Sequence, residues 1–257
     1  MDTLIKRYAI KIEYDGTGYA GWQRQNNGIT VQESVENALL KLSGDRISVL
    51  GASRTDAGVH ALGQVAHFDS RLTVPASKLF LALNTLLPPD IRVTASTEAP
   101  QRFHSRFDAF GKSYLYRVKT GRHAPAISRN ICEFVPGNLD IAAMQKAANI
   151  FIGTHDFKCA MATGSSAKTT VRTIYSFEVR EKDGFIEMEV SGNAFLYNMV
   201  RILAGTLIRA GQNRLSVCAM QKALETGDRE LMGYTAPAKG LTLLEVRYEP
   251  DIFARRL

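Results

Sequence analysis

The chain is built around the stretch Gly51-Ala52-Ser53-Arg54-Thr55-Asp56-Ala57-Gly58-Val59-His60-Ala61, which separates two apolar runs at residues 47–50 and 65–68. Most of its residues are small, so another backbone or a ligand can approach closely. One carboxylate, Asp56, and one guanidinium, Arg54, stand in this setting. Because ion-paired turns are common, an Arg-x-Asp triplet alone does not identify a reactive site. The stretch predicts a loop between two strands that could carry chemistry.

Length and composition are those of an ordinary globular protein. The 257 residues allow one large domain or two of average size. No apolar run approaches the roughly 20 residues that span a bilayer. The charged N-terminus does not begin a signal peptide. We therefore expect a cytoplasmic protein with no membrane partner.

Charge and metal-binding residue types narrow the possible partners. The net charge of +7 suits a polyanion without requiring one. Three scattered cysteines argue against disulfides and against a zinc site, and we expect buried free thiols at Cys132, Cys159 and Cys218. The histidines lack metal-ligand spacing, so His60 and His67 are expected to be loop and edge residues. No Gly-rich phosphate loop is present, so no nucleotide cofactor is expected.

Hydrophobic periodicity divides the first half of the chain into a strand, a helix, two strands, a helix and a strand. A Gly-rich loop with the single Trp22 follows the first strand, and Thr30 and Glu33 form a capping box that starts the first helix. Gly44 ends that helix. The predicted elements are the strand 7–14, the helix from residue 31 to Gly44, the strands flanking residues 51–61, the helix 75–86 and the strand 91–97.

The second half predicts the same order of elements. The predicted elements are the strand 113–119, the helix 138–151, the hairpin strands 169–180 and 185–190 around Asp183-Gly184, the helices 196–210 and 217–226, and the strand 241–248. Each half thus has the βαββαβ order of a ferredoxin-like fold. We predict an α+β protein with halves 1–105 and 106–257. Their strands are expected to join in one broad, mixed, mainly antiparallel sheet, with helices on one side and a central cleft.

Asp56 is the candidate for the reacting group, and Arg54 and Arg201 are the candidates for a cation beside it. An aspartate can form a covalent sugar ester, as glycosidase carboxylates do, and must be ionised to act. A nearby cation would lower its pKa. Arg54 is adjacent in sequence. Arg201 lies in an apolar helical stretch, where an arginine either extends to solvent or pairs with a buried acid.

Aromatic and basic residues alternate in the middle of the chain. Tyr114 and Tyr116 share one face of a predicted strand and are either core tyrosines or a stacking surface for a base taken out of an RNA helix. The neighbouring basic residues suit a sugar-phosphate chain with unstacked bases, or else form a solvated basic face. These basic residues are Arg102, Arg106, Lys112, Arg117, Lys119, Arg122 and Arg129.

The run from Arg54 to Ala61 resembles the active-site loop of the TruA family of tRNA pseudouridine synthases. The resemblance extends over nearly the whole chain, in several ordered motifs that are far more specific together than alone. Ser53 stands where we expect glycine, which changes little because serine is also small. The matching stretches are residues 14–25, 54–61, 82–91, 103–107, 112–117, 170–174 and 195–201.

The resemblance implies a pseudouridine synthase fold and isomerisation of uridine to pseudouridine at positions 38 to 40 of the tRNA anticodon stem-loop. It implies a homodimer that works without metal or cofactor. Asp56 corresponds to the catalytic nucleophile, Tyr114 to the base-stacking tyrosine and Arg201 to the arginine that pairs with the aspartate. Together with Arg54, the last two are expected to bind substrate.

Two other functions remain open. A tRNA-binding chaperone could use the same surface without turnover, although a binding protein needs no such carboxylate as Asp56. A pseudouridine synthase that acts on another RNA would differ only in its substrate.

Overall fold

A computed structural model describes residues 4–165 and 167–254 of the chain. The chain forms two compact units. Within the described residues, the first unit contains residues 4–110 and 243–254, and the second contains residues 111–165 and 167–242. The predicted boundary after residue 105 lies close to this division, and the last predicted strand falls mainly in the first unit. That the halves 1–105 and 106–257 repeat one order of elements stays a prediction.

The elements of the first unit are β1 Lys6–Tyr14, α1 Val31–Ser43, β2 Leu50–Gly51, β3 His60–Ser70, α2 Leu79–Asn84, β4 Ile91–Ala99 and β10 Leu241–Tyr248. In its sheet, β1 lies between β4 and β3. Both pairings are antiparallel, and β10 is the other neighbour of β3. Gly63 permits the close approach of β10, because a Cβ there would lie 2.3 Å from the Leu244 carbonyl oxygen.

Helix α1 forms as predicted because both of its ends are capped. The Thr30 side chain accepts the N–H of Glu33, and Gly44 ends the helix in the left-handed conformation with a φ of 79°. The buried face consists of apolar residues at helical spacing. Those residues are Val31, Val35, Ala38 and Leu39.

The second predicted helix is shorter than expected. Residues 76–78 form a 3₁₀ turn, and α2 begins only at Leu79. It ends at Asn84, whose side chain turns away to bond the backbone N–H and carbonyl of Val93 at 2.8 and 2.9 Å. The amide thereby ties the helix end to β4, so the helix stops before the two prolines that were expected to end it.

The elements of the second unit are β5 Ala109–Gly121, β6 Glu133–Pro136, α3 Ile141–Ile150, β7 Gly153–Asp156, β8 Val171–Lys182, β9 Phe185–Gly192, α4 Met199–Gly211 and α5 Val217–Thr226. Its strand order is β5-β9-β8-β7, antiparallel throughout, with the short β6 pairing parallel to β5. As predicted, the hairpin between β8 and β9 turns at Asp183 and Gly184, and both residues have positive φ.

Two helices of this unit start later than predicted. The Asp140 side chain accepts the N–H of Ala143 and caps α3 at that point. Helix α4 starts after Asn198, which is left-handed with a φ of 58°. Residues 196–198 therefore lead into the helix, and Arg201 sits in its first turn. The short strands β6 and β7 were not predicted, because four residues are too few to show alternation.

The α+β class and a large, mostly antiparallel sheet are confirmed. None of the helices within residues 4–165 and 167–254 has the length and apolar character needed to cross a bilayer.

Candidate active site

Asp56 lies on the loop between β2 and β3. Its side chain is half-buried, while Arg54 is exposed and Thr55 is buried between them. The Val59 N–H donates to the Asp56 carbonyl at 3.1 Å, and Gly58 turns the chain with a φ of 79°. This tight turn leads the loop directly into β3.

The loop is fastened on one side by the segment after β1. The N–H of Trp22 donates to the Thr55 carbonyl at 3.0 Å, and the N–H of Gly58 donates to the Tyr19 carbonyl at 3.3 Å. The hydroxyls of Tyr14 and Thr55 are 2.7 Å apart. Asp56 is thus held between two residues whose backbones are hydrogen-bonded to the same segment.

The other side of the loop is fastened by Gln64, which is fully buried. Its Oε1 accepts the N–H of Ser53 at 3.2 Å, and its Nε2 donates to the Ser53 carbonyl at 2.7 Å. The amide thus pairs with the loop backbone as a neighbouring strand would. Sequence reasoning missed Gln64, because one glutamine in an apolar run has no pattern that announces its partner.

His60 and His67 do not have the loop and edge positions that the sequence led us to expect. His60 is buried at the start of β3, where its Nδ1 accepts the N–H of Gly16 at 3.1 Å. His67 is buried in the middle of β3, which lies between β1 and β10. Both residues hold other segments against β3, so the expectation was wrong.

Tyr114 lies on β5 of the second unit and is buried. Its ring meets the ring of Phe195 edge to face, with centroids 5.1 Å apart and an angle of 82° between the planes. Such a pair holds both rings in fixed orientations. Phe195 belongs to a motif that the sequence singled out, but its contact with Tyr114 could not be read from the sequence.

Tyr116, two residues further along β5, is a core tyrosine. Its hydroxyl lies 2.9 Å from Glu133 Oε2 and 2.8 Å from the Pro237 carbonyl, and the Tyr234 hydroxyl donates to Glu133 Oε1 at 2.8 Å. Burial, followed by the interactions with Glu133, raises the pKa of both phenols. Tyr116 is therefore a core tyrosine, which is one of the two alternatives that the sequence left open.

Hydrogen bonds to its own unit help to orient Arg201. Its Nη1 donates to Asn198 Oδ1 at 2.8 Å, and its Nε donates to the Ala236 carbonyl at 2.7 Å. The Ala236 N–H in turn donates to the Arg201 carbonyl at 3.1 Å. The guanidinium is thus oriented by its surroundings. The pairing of Arg201 with Asp56 stays a prediction.

The segment before β5 presents aromatic and basic side chains to solvent. Phe107 is 75% exposed, and its ring lies 4.2 Å from that of His104. Arg102 and Arg106 are also exposed, and the Arg106 guanidinium stands 5.8 Å from the Phe107 ring centroid. Phe103 is buried against Tyr248, which anchors the segment.

Thiols and possible metal ligands complete the inventory of reactive groups. Cys132 and Cys159 are buried as expected, and burial raises the pKa of both thiols, that of Cys159 to about 11. Cys218 is exposed, so the expectation of a buried thiol was wrong there. Among the described residues, no cluster of His, Cys, Asp and Glu side chains could hold a metal ion.

Sequence comparison gives close relatives over nearly the full length. A family model described as tRNA pseudouridine synthase matches residues 10–108 and 147–249. The "tRNA pseudouridine synthase A" of Ruminiclostridium cellulolyticum is 49% identical, covering 95% of this chain and 100% of the relative. The protein of the same name in Acetivibrio thermocellus is 45% identical, again covering 95% of this chain and 100% of the relative.

Solved structures are less similar. An H/ACA RNP bound to a substrate RNA aligns with 93% of this chain and 48% of that chain at 12% identity, with a TM-score of 0.36, a likeness too weak to carry a conclusion. The family match and the identity with full-length relatives are decisive. The chain belongs to the TruA family of tRNA pseudouridine synthases.

Proposed function

We propose that this protein isomerises uridine to pseudouridine at positions 38 to 40 of the tRNA anticodon stem-loop, with Asp56 as the nucleophile. Membership of the family supports an isomerase that acts on uridine in tRNA. The observation that carries the role of Asp56 is its loop, which is fastened to Trp22 on one side and to Gln64 on the other. A loop fixed in this way holds a reacting carboxylate in one geometry.

The reaction requires a carboxylate but no oxidant, reductant or second substrate. Asp56 either attacks C1′ of the ribose or removes a proton from C2′, to which the proton later returns. In both routes the bond between C1′ and N1 of the uracil breaks. The base turns and C5 bonds to C1′. In the first route this step breaks the ester bond between C1′ and Asp56, and in the second route C2′ regains its proton. C5 then releases its proton, and N1 gains one. Atoms and electrons balance without an oxidant, a reductant or a second substrate, so the protein must supply a positioned nucleophile or base.

Three further side chains complete the proposed site. Tyr114, whose orientation is fixed by Phe195, stacks on the detached uracil. Arg201, oriented by Asn198 and by the Ala236 carbonyl, pairs with Asp56 and keeps its carboxylate ionised. The exposed guanidinium of Arg54 binds the substrate.

The test of this assignment is Asp56→Asn, which keeps the shape of the side chain and removes the nucleophile and base. We expect no turnover of tRNA, with binding retained because phosphate contacts supply most of the affinity. The matched control is Asp45→Asn, since Asp45 is exposed at the end of α1 and outside the loop. Substantial turnover by the purified Asp56 variant would contradict the assignment.

The modified positions follow from a second measurement. Pseudouridine is mapped by carbodiimide labelling in tRNA from cells with and without the protein. Loss at positions 38 to 40 supports the proposed substrate, whereas loss at another site or in another RNA supports the alternative enzyme. If neither changes and purified protein binds tRNA without turnover, the chaperone function is favoured.

The oligomeric state, the location in the cell and the independence from metal and cofactor are also proposals. We expect a homodimer in the cytoplasm that needs neither metal nor cofactor, as the resemblance to the family implies. Sedimentation of the purified protein gives the oligomeric state, and cell fractionation gives the location. Turnover in the presence of a chelator tests the requirement for metal.

A further inference from the structure

Arg172, near the start of β8, has a buried donor without an acceptor. Its Nη1 donates to the Val171 carbonyl at 2.6 Å, but its Nε is buried and has no hydrogen-bond partner within the described chain. Buried N–H groups of folded proteins nearly always have a partner, so such an exception requires an explanation. Here the donor belongs to a charged group, for which the loss of an acceptor is especially costly.

The charge of Arg172 is likewise uncompensated. Burial lowers the pKa of its guanidinium, and no carboxylate among the described residues contributes to offset that effect. Arg180, on the same strand, has the opposite environment. It donates to Glu189 Oε2 at 2.8 Å, and this bond raises its pKa. The sheet thus provides an acid for one arginine of β8 and leaves the other without one.

Strand register places Arg172 on the face that carries Tyr114. Gly192 of β9 lies opposite Lys112 of β5 and opposite Ile174 of β8. Because side chains alternate along a strand, Tyr114 shares the face of Lys112, and Arg172 shares the face of Ile174. Residues that lie opposite each other on neighbouring strands share one face of the sheet, so Tyr114 and Arg172 are on the same face.

Phe195 lies between Tyr114 and the position of Gly192 on that face. Its ring comes within 3.2 Å of the place that a Cβ on Gly192 would occupy, and it meets the Tyr114 ring at 5.1 Å between centroids. Tyr114 and Phe195 thus lie on the face of the second unit's sheet that also carries Arg172. A strand of RNA whose base stacks on Tyr114 would continue along this surface.

We infer that Arg172 binds a backbone phosphate of the tRNA, near the nucleotide whose base stacks on Tyr114. The inference rests on the proposed function of Tyr114. Nε and Nη2 form one edge of the guanidinium, which matches two oxygens of a phosphate in a bidentate contact. The phosphate supplies both the acceptor that Nε lacks and the negative charge that the neighbouring side chains do not provide.

The first experiment compares Arg172→Met with Arg180→Met in binding to an anticodon stem-loop RNA over a range of salt concentrations. Methionine keeps much of the stem and removes the charge. For the Arg172 variant we expect affinity to fall about tenfold. The plot of log affinity against log salt should become shallower by about one ion. The Arg180 variant should keep the wild-type slope. An unchanged affinity and slope for the Arg172 variant would overturn the inference.

A scan with neutral phosphates identifies the contact. One methylphosphonate linkage at a time replaces a phosphate in the RNA. A linkage in contact with Arg172 should weaken binding to the wild type about tenfold and binding to Arg172→Met hardly at all. Equal losses for both proteins at every linkage would exclude a direct contact. Melting in the absence of RNA separates a structural role, because a structural arginine would lower the melting temperature on removal. A binding arginine without an acceptor should leave the temperature unchanged or raise it.

These measurements stand apart from the test of Asp56, since both use binding and neither requires turnover. Retained turnover by Asp56→Asn together with a mapped phosphate would overturn the proposed nucleophile and leave the contact in place. Loss of turnover without any such linkage would do the reverse.

Discussion

Single glycines decide how closely the two segments of the active-site loop approach. Gly21 has a φ of 96°, and a Cβ on it would stand 2.5 Å from the Thr55 carbonyl oxygen. We expect Gly21→Ala to lower the free energy of unfolding by about 2 kcal/mol or more, because it adds backbone strain to a clash. Turnover should fall further than stability alone explains, since Thr55 precedes Asp56. Denaturant unfolding and turnover at low temperature measure the two effects.

Gly18 provides the matched control for this substitution. Among the described residues beyond its two chain neighbours, no atom lies within 4 Å of a Cβ built on it, and its φ lies outside the range that strains an L-residue. Gly18→Ala should therefore stay near wild type in both measurements. If Gly21→Ala unfolds and turns over like Gly18→Ala, the close approach does not hold the loop.

Only part of the candidate site could be predicted from the sequence, because some of its contacts depend on tertiary structure. Asp56, Tyr114 and Arg201 are predicted from motifs that resemble a known family, and their roles stay proposals. Gln64 was not, since its bond with Ser53 depends on how the loop folds back upon β3. The acceptor missing at Arg172 Nε could not be predicted either. Such contacts join residues whose approach is set by tertiary structure, which leaves no local pattern.

Among the larger elements, β3 and the segment at residues 103–108 are joined through His67. Its Nδ1 accepts the N–H of Ser105 at 3.2 Å, and its ring lies 4.8 Å from the ring of His104. Burial, followed by the charges of His104 and Arg7, lowers the pKa of His67 from 6.5 to about 4. The imidazole is therefore neutral in the folded protein over most of the acidic range, with Nδ1 free of a proton.

Protonation in the unfolded chain then sets a pH dependence. Between pH 6.5 and about 4 the unfolded state binds a proton at His67 that the folded state does not, so stability falls as the pH is lowered through this window. We expect a contribution of about 3 kcal/mol. In His67→Asn, whose Oδ1 can still accept from Ser105, this contribution should vanish. His123→Asn, at an exposed position, should retain it. Equally steep acid destabilisation in all three proteins, measured by urea unfolding, would contradict this origin.

Helix ends show where local signals were sufficient. Helix α5 begins and ends as predicted, because Ser216 caps its start and Gly227 its end. Helix α4 begins later than predicted, since its apolar periodicity continues back through residues that do not adopt helical dihedrals. Asn198 is left-handed, and its side chain accepts a bond from Arg201. Periodicity alone could not predict that conformation, which places Arg201 in the first turn.

The net charge of the protein gives its binding a dependence on salt. An excess of seven positive charges attracts a polyanion, and each phosphate that a Lys or Arg neutralises releases counterions. Arg102, Arg106 and Arg129 are exposed on the basic and aromatic middle of the chain, where they can take part.

We expect the affinity for tRNA to fall steeply as salt is raised. With about six phosphates neutralised, it should drop about a thousandfold between roughly 50 and 200 mM salt. The Asp56→Asn protein is the form to use, because it binds without converting its substrate. Its slope should equal that of the wild type measured on an RNA that cannot react. A slope near zero in a plot of log affinity against log salt would mean that stacking and hydrogen bonds supply the affinity, and that the exposed arginines do not contact the RNA backbone.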